Sequence, residues 1–182
     1  MPPIVYLAAA PTTAGHGSVD AHALLGKLYH AVPGDPPPGL VLGQRGKPDF
    51  ASGPWHCSIS HTRSLALCAL GACPLGLDAE PLSRRVSSRL PRKVLSPQEL
   101  AAWEASEDPD GFFLSLWTLK ESYVKYTGRG LEGYPADLSF HLHFPEATLT
   151  GSPLSFRLLH HSDHVIALCT PMPCTLQLMH TL

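Results

Sequence analysis

The stretch Phe112 to Leu131, FFLSLWTLKESYVKYTGRGL, restricts the fold more than any other part of the chain. Apolar side chains at Phe113, Leu116, Trp117, Leu119, Tyr123, Val124 and Tyr126 recur at helical spacing around more than half of the circumference. The spacing predicts a largely buried amphipathic helix. Asp108 or Asp110 can cap its start, and Gly128 with Gly130 tolerates a left-handed exit. Glu121 and Lys125 lie four apart and share one face among large apolar neighbours. Two readings stay open at this point: an i,i+4 surface ion pair, or a carboxylate on the wet edge of the helix acting as metal ligand or base.

With 182 residues and 44% hydrophobic content, the chain can build one large or two small domains around a proper core. Charged residues are only 15%, so much of the surface must be loops covered by Ser, Thr, His and Pro. A net charge of −2 gives no general pull toward nucleic acid or an anionic membrane. Charge is concentrated in one place, where Arg84, Arg85, Arg89, Arg92 and Lys93 fall within ten positions as a candidate basic docking patch. Cys57, Cys68, Cys73, Cys169 and Cys174 form no Cys-x-x-Cys pair, which predicts reduced thiols in a cytoplasmic protein rather than disulfides or zinc. The opening Ile4 to Ala10 lacks a basic flank and is too short to span a bilayer, so it reads as a first strand, with a cleaved signal as the alternative.

Ser18 can cap a helix continuing to about His30, and the prolines between Pro33 and Gly39 mark a surface connection. Leu40 to Leu42 reads as a short strand, and Gln44 to Pro48 as a polar turn followed by loop up to Pro54. From Trp55 the pattern becomes β, with Ser60 to Ser64 connecting a hairpin. Leu75 to Glu80 alternates strictly, placing Asp78 and Glu80 on one face and Leu77 and Ala79 on the other. Two acids on one strand face are either a solvated edge or a pair of hard oxygen ligands for Mg²⁺. Ser96-Pro97-Gln98-Glu99 has the form of a capping box and starts a helix to about Ser106. After Leu131, short alternating segments separated by turns predict an antiparallel sheet.

Ala66-Leu67-Cys68 with Cys73, Leu75 and Leu77 repeats as Ala167-Leu168-Cys169 with Cys174, Leu176 and Leu178, at a constant offset of 101 residues. The repeat predicts a duplicated α+β fold, each half an antiparallel sheet packed on a long helix, divided into 1–81 and 82–182. Asp78 and Glu80 correspond to Met179 and Thr181, so only the first half carries the acid pair and only the second the Lys-Glu-Ser helix over 112–127. One composite site at the junction of the halves follows.

Gly76-Leu77-Asp78-Ala79-Glu80, followed about forty residues later by Trp117-Thr118-Leu119-Lys120-Glu121-Ser122-Tyr123-Val124-Lys125, resembles the two signature blocks of the 4′-phosphopantetheinyl transferases. Ser58-Ile59-Ser60-His61-Thr62 and Gly46-Lys47-Pro48 resemble upstream blocks of the same family. The likeness is greatest to its two-lobed branch, similar to the surfactin-synthetase activating enzyme, with a pseudo-twofold fold. The resemblance implies transfer of phosphopantetheine from coenzyme A to a serine of an apo-acyl or peptidyl carrier protein, with release of adenosine 3′,5′-bisphosphate. It implies that Asp78, Glu80 and Glu121 hold Mg²⁺, or Mn²⁺ in its place. Glu121, directly or through a metal-bound water, would take the serine proton, Lys125 would stabilise the leaving phosphate, and Lys47 and His61 would contact coenzyme A near its 3′-phosphate, with Ser60 hydrogen-bonding nearby. A chain with two lobes is expected to be monomeric. The alternative is a homologue that only binds coenzyme A or a carrier protein. A nucleotide-dependent phosphotransferase is disfavoured because no P-loop or kinase signature occurs.

Overall fold

The computed structural model describes residues 1–43, 45–130 and 135–180. Gln44 of the expected turn, Leu131 at the end of the organising stretch and Thr181 of the repeat lie outside the described residues. The chain is mixed α+β. Strands β1 (Ile4–Pro11), β4 (His56–His61), β5 (Leu65–Gly71) and β11 (Thr175–Met179) form one sheet in the order β11-β1-β5-β4. Strands β6 (Gly76–Pro81), β7 (Phe140–His143), β8 (Glu146–Leu149), β9 (Ser155–His161) and β10 (His164–Thr170) form a second in the order β6-β10-β9-β8-β7. Every pairing is antiparallel except β1 with β11, which run parallel. A small separate hairpin joins β2 (Leu40–Leu42) to β3 (Pro48–Phe50), where the sequence alone predicts loop after the turn. Pro48 accommodates this because the pairing is an exposed two-stranded ribbon rather than a central strand.

Strict alternation along the strands divides the core. Leu65, Leu67 and Ala69 of β5 and Val5 and Leu7 of β1 share one cluster with Leu77 and Ala79 of β6 and Ile166 and Leu168 of β10. The opposite faces point to helices. Ala8, Cys68 and Leu70 pack under α1 (Gly17–Ala31) through Leu24, Leu25 and Leu28. Val165, Ala167 and Cys169 pack under α4 (Pro109–Thr127) through Phe113, Leu116 and Leu119. The layers therefore run helix, sheet, sheet, helix.

Helix α4 matches its predicted punctuation. Asp108 accepts a hydrogen bond from the Gly111 N–H at 3.0 Å, and Gly128 ends the helix at φ 67°. Helix α3 (Pro97–Glu104) carries the complete capping box of Ser96 and Glu99, preceded by the single turn α2 (Pro91–Val94) inside the basic connection. Helix α1 differs from expectation: it starts at Gly17, and His16 at its cap makes no side-chain hydrogen bond, so Ser18 lies within the helix rather than capping it. The turn that bonds the His16 N–H to the Thr13 carbonyl already brings the backbone into helical geometry.

The acids of β6 can reach the surface of α4 because Gly76 lets strand and helix approach closely. A Cβ at position 76 would overlap the Ser122 carbonyl and the Tyr126 amide of the helix backbone. Gly76→Ala is expected to lower stability by about 3 kcal/mol, since neither backbone can retreat without unpacking α4. Chemical denaturation checks this, and a loss below about 1 kcal/mol would show that the contact is loose.

Candidate active site

The joint between β4 and β6 sets the position of the first acid. These strands run side by side without a ladder and are joined by side chains: Ser58 Oγ accepts the Leu77 N–H at 3.0 Å, and Ser60 Oγ donates to Asp78 Oδ1 at 3.0 Å. Asp78 is 7% exposed, and the same Oδ1 accepts from Lys125 Nζ at 2.8 Å. Lys125 also donates to the Ile59 carbonyl at 3.2 Å, so it bridges α4 to both strands. The i,i+4 pairing with Glu121 open from sequence is thus replaced by an ion pair across the fold, to Asp78. Glu80, on the same strand face as Asp78, accepts from Arg84.

Asp78, Glu80, Glu121, Lys125, Ser60 and His61 all line one cleft of about 1240 Å³. The structure brings six of the seven expected site residues together. Lys47 is the exception. Its ammonium donates to the carbonyls of Leu75 (3.2 Å) and Tyr126 (3.3 Å), and it lines a separate hollow of about 550 Å³ with Thr127, Gly128 and Arg129. Gly46 and Pro48 reach the main cleft while the lysine between them ties their loop to the end of α4. Burial pushes the Lys47 ammonium below its ordinary value, with the Asp49 carboxylate opposing.

Glu121 is the electrostatic centre of the cleft. Burial, reinforced by the Asp78 carboxylate, pushes its carboxyl up to about 7, although Lys125 and Arg84 pull the other way and Glu80 adds to the rise. A carboxylate titrating near neutrality can take up and return a proton under ordinary conditions. Its position comes from the buried residue before it. Lys120, 1% exposed, donates to Glu99 Oε2 at 2.7 Å, the Val94 carbonyl at 3.1 Å and the Leu138 carbonyl at 2.6 Å. Glu99 in turn accepts the N–H groups of Ser96 and Phe140, both at 2.8 Å.

Among the described residues, no three His, Cys, Asp or Glu side chains are arranged to hold a metal ion by themselves. Even so, the donor set fits a hard cation that keeps several waters. Asp78 Oδ2, Glu80 Oε2 and the Glu121 carboxylate accept no hydrogen bond within the described residues, and Mg²⁺ commonly binds through one or two carboxylates plus substrate phosphates.

Sequence reasoning missed several lining groups. Gly15, Gly17, Ser18 and His22 bring the start of α1 to the cleft. Gly17 has to lack a side chain there, since a Cβ would stand 2.8 Å from His61 Nδ1. Trp117 lines the cleft one turn before Glu121, though its apolar spacing marks it only as core. Arg84 also turns inward, whereas Arg85 is 96% exposed and Arg92 pairs with Glu104 at 2.9 Å on the surface. All five cysteines are free thiols that burial holds above their ordinary range.

Residues 74–169 match the profile of the 4′-phosphopantetheinyl transferase superfamily. A 4′-phosphopantetheinyl transferase of Bacillus subtilis is 33% identical over 101 residues, covering 52% of this chain and 44% of its own length. The 4′-phosphopantetheinyl transferase Sfp of Bacillus subtilis strain 168 is 34% identical over 91 residues, 48% of this chain and 40% of that protein. The chain thus spans less than half the length of these Bacillus relatives. The 4′-phosphopantetheinyl transferase AcpT of Salmonella typhimurium matches more broadly, at 31% identity over 158 residues, 84% of this chain and 78% of the relative.

Proposed function

The chain belongs to the 4′-phosphopantetheinyl transferase superfamily, and we propose that it transfers the 4′-phosphopantetheine group of coenzyme A to a serine of an apo-acyl or peptidyl carrier protein. The observation that carries this reading is the cleft in which Asp78, Glu80 and Glu121 from two distant segments meet Lys125. In the reaction the serine hydroxyl oxygen bonds to the phosphorus next to pantetheine. The bond from that phosphorus to the bridging oxygen breaks, and adenosine 3′,5′-bisphosphate leaves with the electron pair.

Glu121 accepts the serine proton at a carboxylate oxygen, a role suited to a carboxyl raised to about 7. Lys125 stands one turn further along α4 and offers its charge to the leaving phosphate. His61 lies on the wall where β4 ends beside the start of α1 and takes the 3′-phosphate of coenzyme A, while Ser60 beside it holds Asp78 through its hydroxyl. Lys47 serves the same substrate indirectly, by holding the Gly46–Pro48 loop on the cleft rim. Mg²⁺ or Mn²⁺ would be held by Asp78, Glu80 and Glu121 and, when bound, would neutralise charge on the pyrophosphate.

The chain is proposed to consist of two lobes related by a pseudo-twofold duplication. Each half of the chain has a long helix, a small hairpin and an antiparallel strand pair, and β5 and β10 occupy matching places under α1 and α4. The lobes 1–81 and 82–182 are divided by chain order, while β6 pairs with β10 and β11 with β1, which ties each lobe to the other's sheet. A monomer is what this reading expects, since residues of both lobes line the cleft. The free thiols support a cytoplasmic setting, and no helix of the described residues is long and apolar enough to cross a membrane.

Intact-mass measurement of an apo-carrier protein with this chain, coenzyme A and Mg²⁺ tests the function. A mass gain of one phosphopantetheine group, lost with EDTA, is the expected result. Binding of coenzyme A without transfer to any of several carriers would leave only a binding module. The exposed cations Arg85 and Arg89 are proposed to dock an acidic carrier surface. Arg85→Glu with Arg89→Glu is expected to raise the carrier KM about tenfold, with kcat and coenzyme A binding unchanged. Unchanged carrier kinetics would reject docking at this patch.

A further inference from the structure

The basic run read from sequence as one docking patch is divided by the fold. Arg85 is almost fully exposed, while Arg84 lines the cleft with Ser83 and Pro81. The Arg84 guanidinium sits 5.8 Å from the centroid of the Trp117 ring, and Nη1 donates to Glu80 Oε1. A guanidinium has five N–H donors. Among the described residues Glu80 is the only hydrogen-bond partner of the Arg84 guanidinium, and the Arg84 side chain is 36% exposed. Its remaining donors are therefore available to a ligand in the cleft.

Helix spacing sets where that ligand charge would lie. Trp117, Glu121 and Lys125 are successive i,i+4 positions on α4, and all three line the cleft. Lys125 with Asp78 stands at one end of this row, and Arg84 with Glu80 at the Trp117 end. The unpaired Glu121 carboxylate lies between two cations, each held by a carboxylate. A pyrophosphate diester has two anionic phosphates about 3 Å apart, and one lysine cannot serve both in a bidentate manner. We infer that Arg84 is a substrate ligand, supplying the second cation for the pyrophosphate of coenzyme A while Lys125 supplies the first. This inference rests on the transferase reading. Stacking on Trp117 limits the side chain to few rotamers, so less ordering is lost when the anion binds.

An Arg84 that merely oriented Glu80 would behave differently, and calorimetry with coenzyme A in EDTA separates the two roles. Arg84→Ala is expected to weaken coenzyme A binding about tenfold, with Arg84→Lys recovering part of it and Arg85→Ala binding as wild type. Glu80→Gln removes a negative charge beside the pyrophosphate and is expected to bind coenzyme A at least as tightly as wild type. Opposite shifts for Arg84→Ala and Glu80→Gln support direct contact. Equal weakening by both, or Arg84→Ala binding within twofold of wild type, overturns it. Thermal melts of each variant exclude unfolding as the cause, and Arg84→Lys gives the reading if the alanine variant fails to fold. If the wild-type chain itself does not bind coenzyme A, the transferase reading fails and this inference with it. Wild-type binding with no effect of Arg84 overturns the inference alone.

Discussion

Replacing Glu121 by Gln is expected to abolish phosphopantetheine transfer, by about 10³-fold or more, while making the metal-free protein more stable at alkaline pH. The two effects have one cause. The fold raises the carboxyl from its ordinary 4.5 to about 7, through burial first and the Asp78 carboxylate second. The folded state therefore binds the proton more tightly than the unfolded chain. Stability contributed by protonated Glu121 is complete below about pH 4.5 and is lost as pH rises through 7. Above that pH the ionised carboxylate is a liability that glutamine lacks. The variant should gain about 1–3 kcal/mol over wild type at pH 8.5 in EDTA, a figure reduced from the full shift because Glu121 borders solvent, and should gain nothing at pH 4. Urea denaturation at the two pH values is the measurement. A variant equally stable or less stable at pH 8.5 would mean that the carboxylate is not strained there, and the proton-acceptor role would lose its electrostatic basis. Such a trade of stability for function is expected where a charge is held ready for chemistry.

The second large effect lies one residue earlier and out of contact with the cleft. Lys120→Met is expected to cost about 3–5 kcal/mol, because it leaves Glu99, 3% exposed, as a buried carboxylate without its cation. The carbonyls of Val94 and Leu138 lose their donor at the same time. Burial pushes the Lys120 ammonium below its ordinary value, and the hydrogen bond and charge of Glu99 oppose that fall. Adding Glu99→Gln should recover part of the loss, since the neutral amide oxygen can still accept one of the N–H groups of Ser96 and Phe140. Strict additivity of the two substitutions in urea denaturation would show that the pair is not coupled. Because Lys120 joins α4 to the α2–α3 connection and to the start of β7, the partly rescued double variant should also show reduced transfer from a displaced Glu121.

Both predictions concern a helix that was legible at once. The apolar spacing from Phe113 to Tyr126 and the Asp108 and Gly128 caps are local properties, and α4 forms where they require. The alternation of Leu77-Asp78-Ala79-Glu80 likewise determines which side chains of β6 face α4, whatever strand lies next to it. The meeting of Asp78 and Glu80 with Glu121 and Lys125 in one cleft is expected from the internal repeat, whereas Ser60 and His61 are expected there only through the resemblance.

Other features depended on contacts that no local pattern encodes. Leu40–Leu42 reads as a strand from sequence, but its partner Pro48–Phe50 is too short for periodicity to register and forms through pairing across a turn. Arg84 and Arg85 are adjacent and chemically identical in the sequence, yet one stacks on Trp117 in the cleft and the other is solvated, because only the packed loop distinguishes them. Lys47 follows the same logic: no local pattern encodes that its ammonium donates to the Leu75 carbonyl and to the Tyr126 carbonyl at the end of α4. Helices α3 and α4, the body of α1, the faces of the strands and the acids available for chemistry are all legible along the chain, since they follow from short-range periodicity and capping. Which cation answers which carboxylate is not legible there, because an ion pair forms between whichever charges packing brings within a few ångströms, however far apart they lie along the chain.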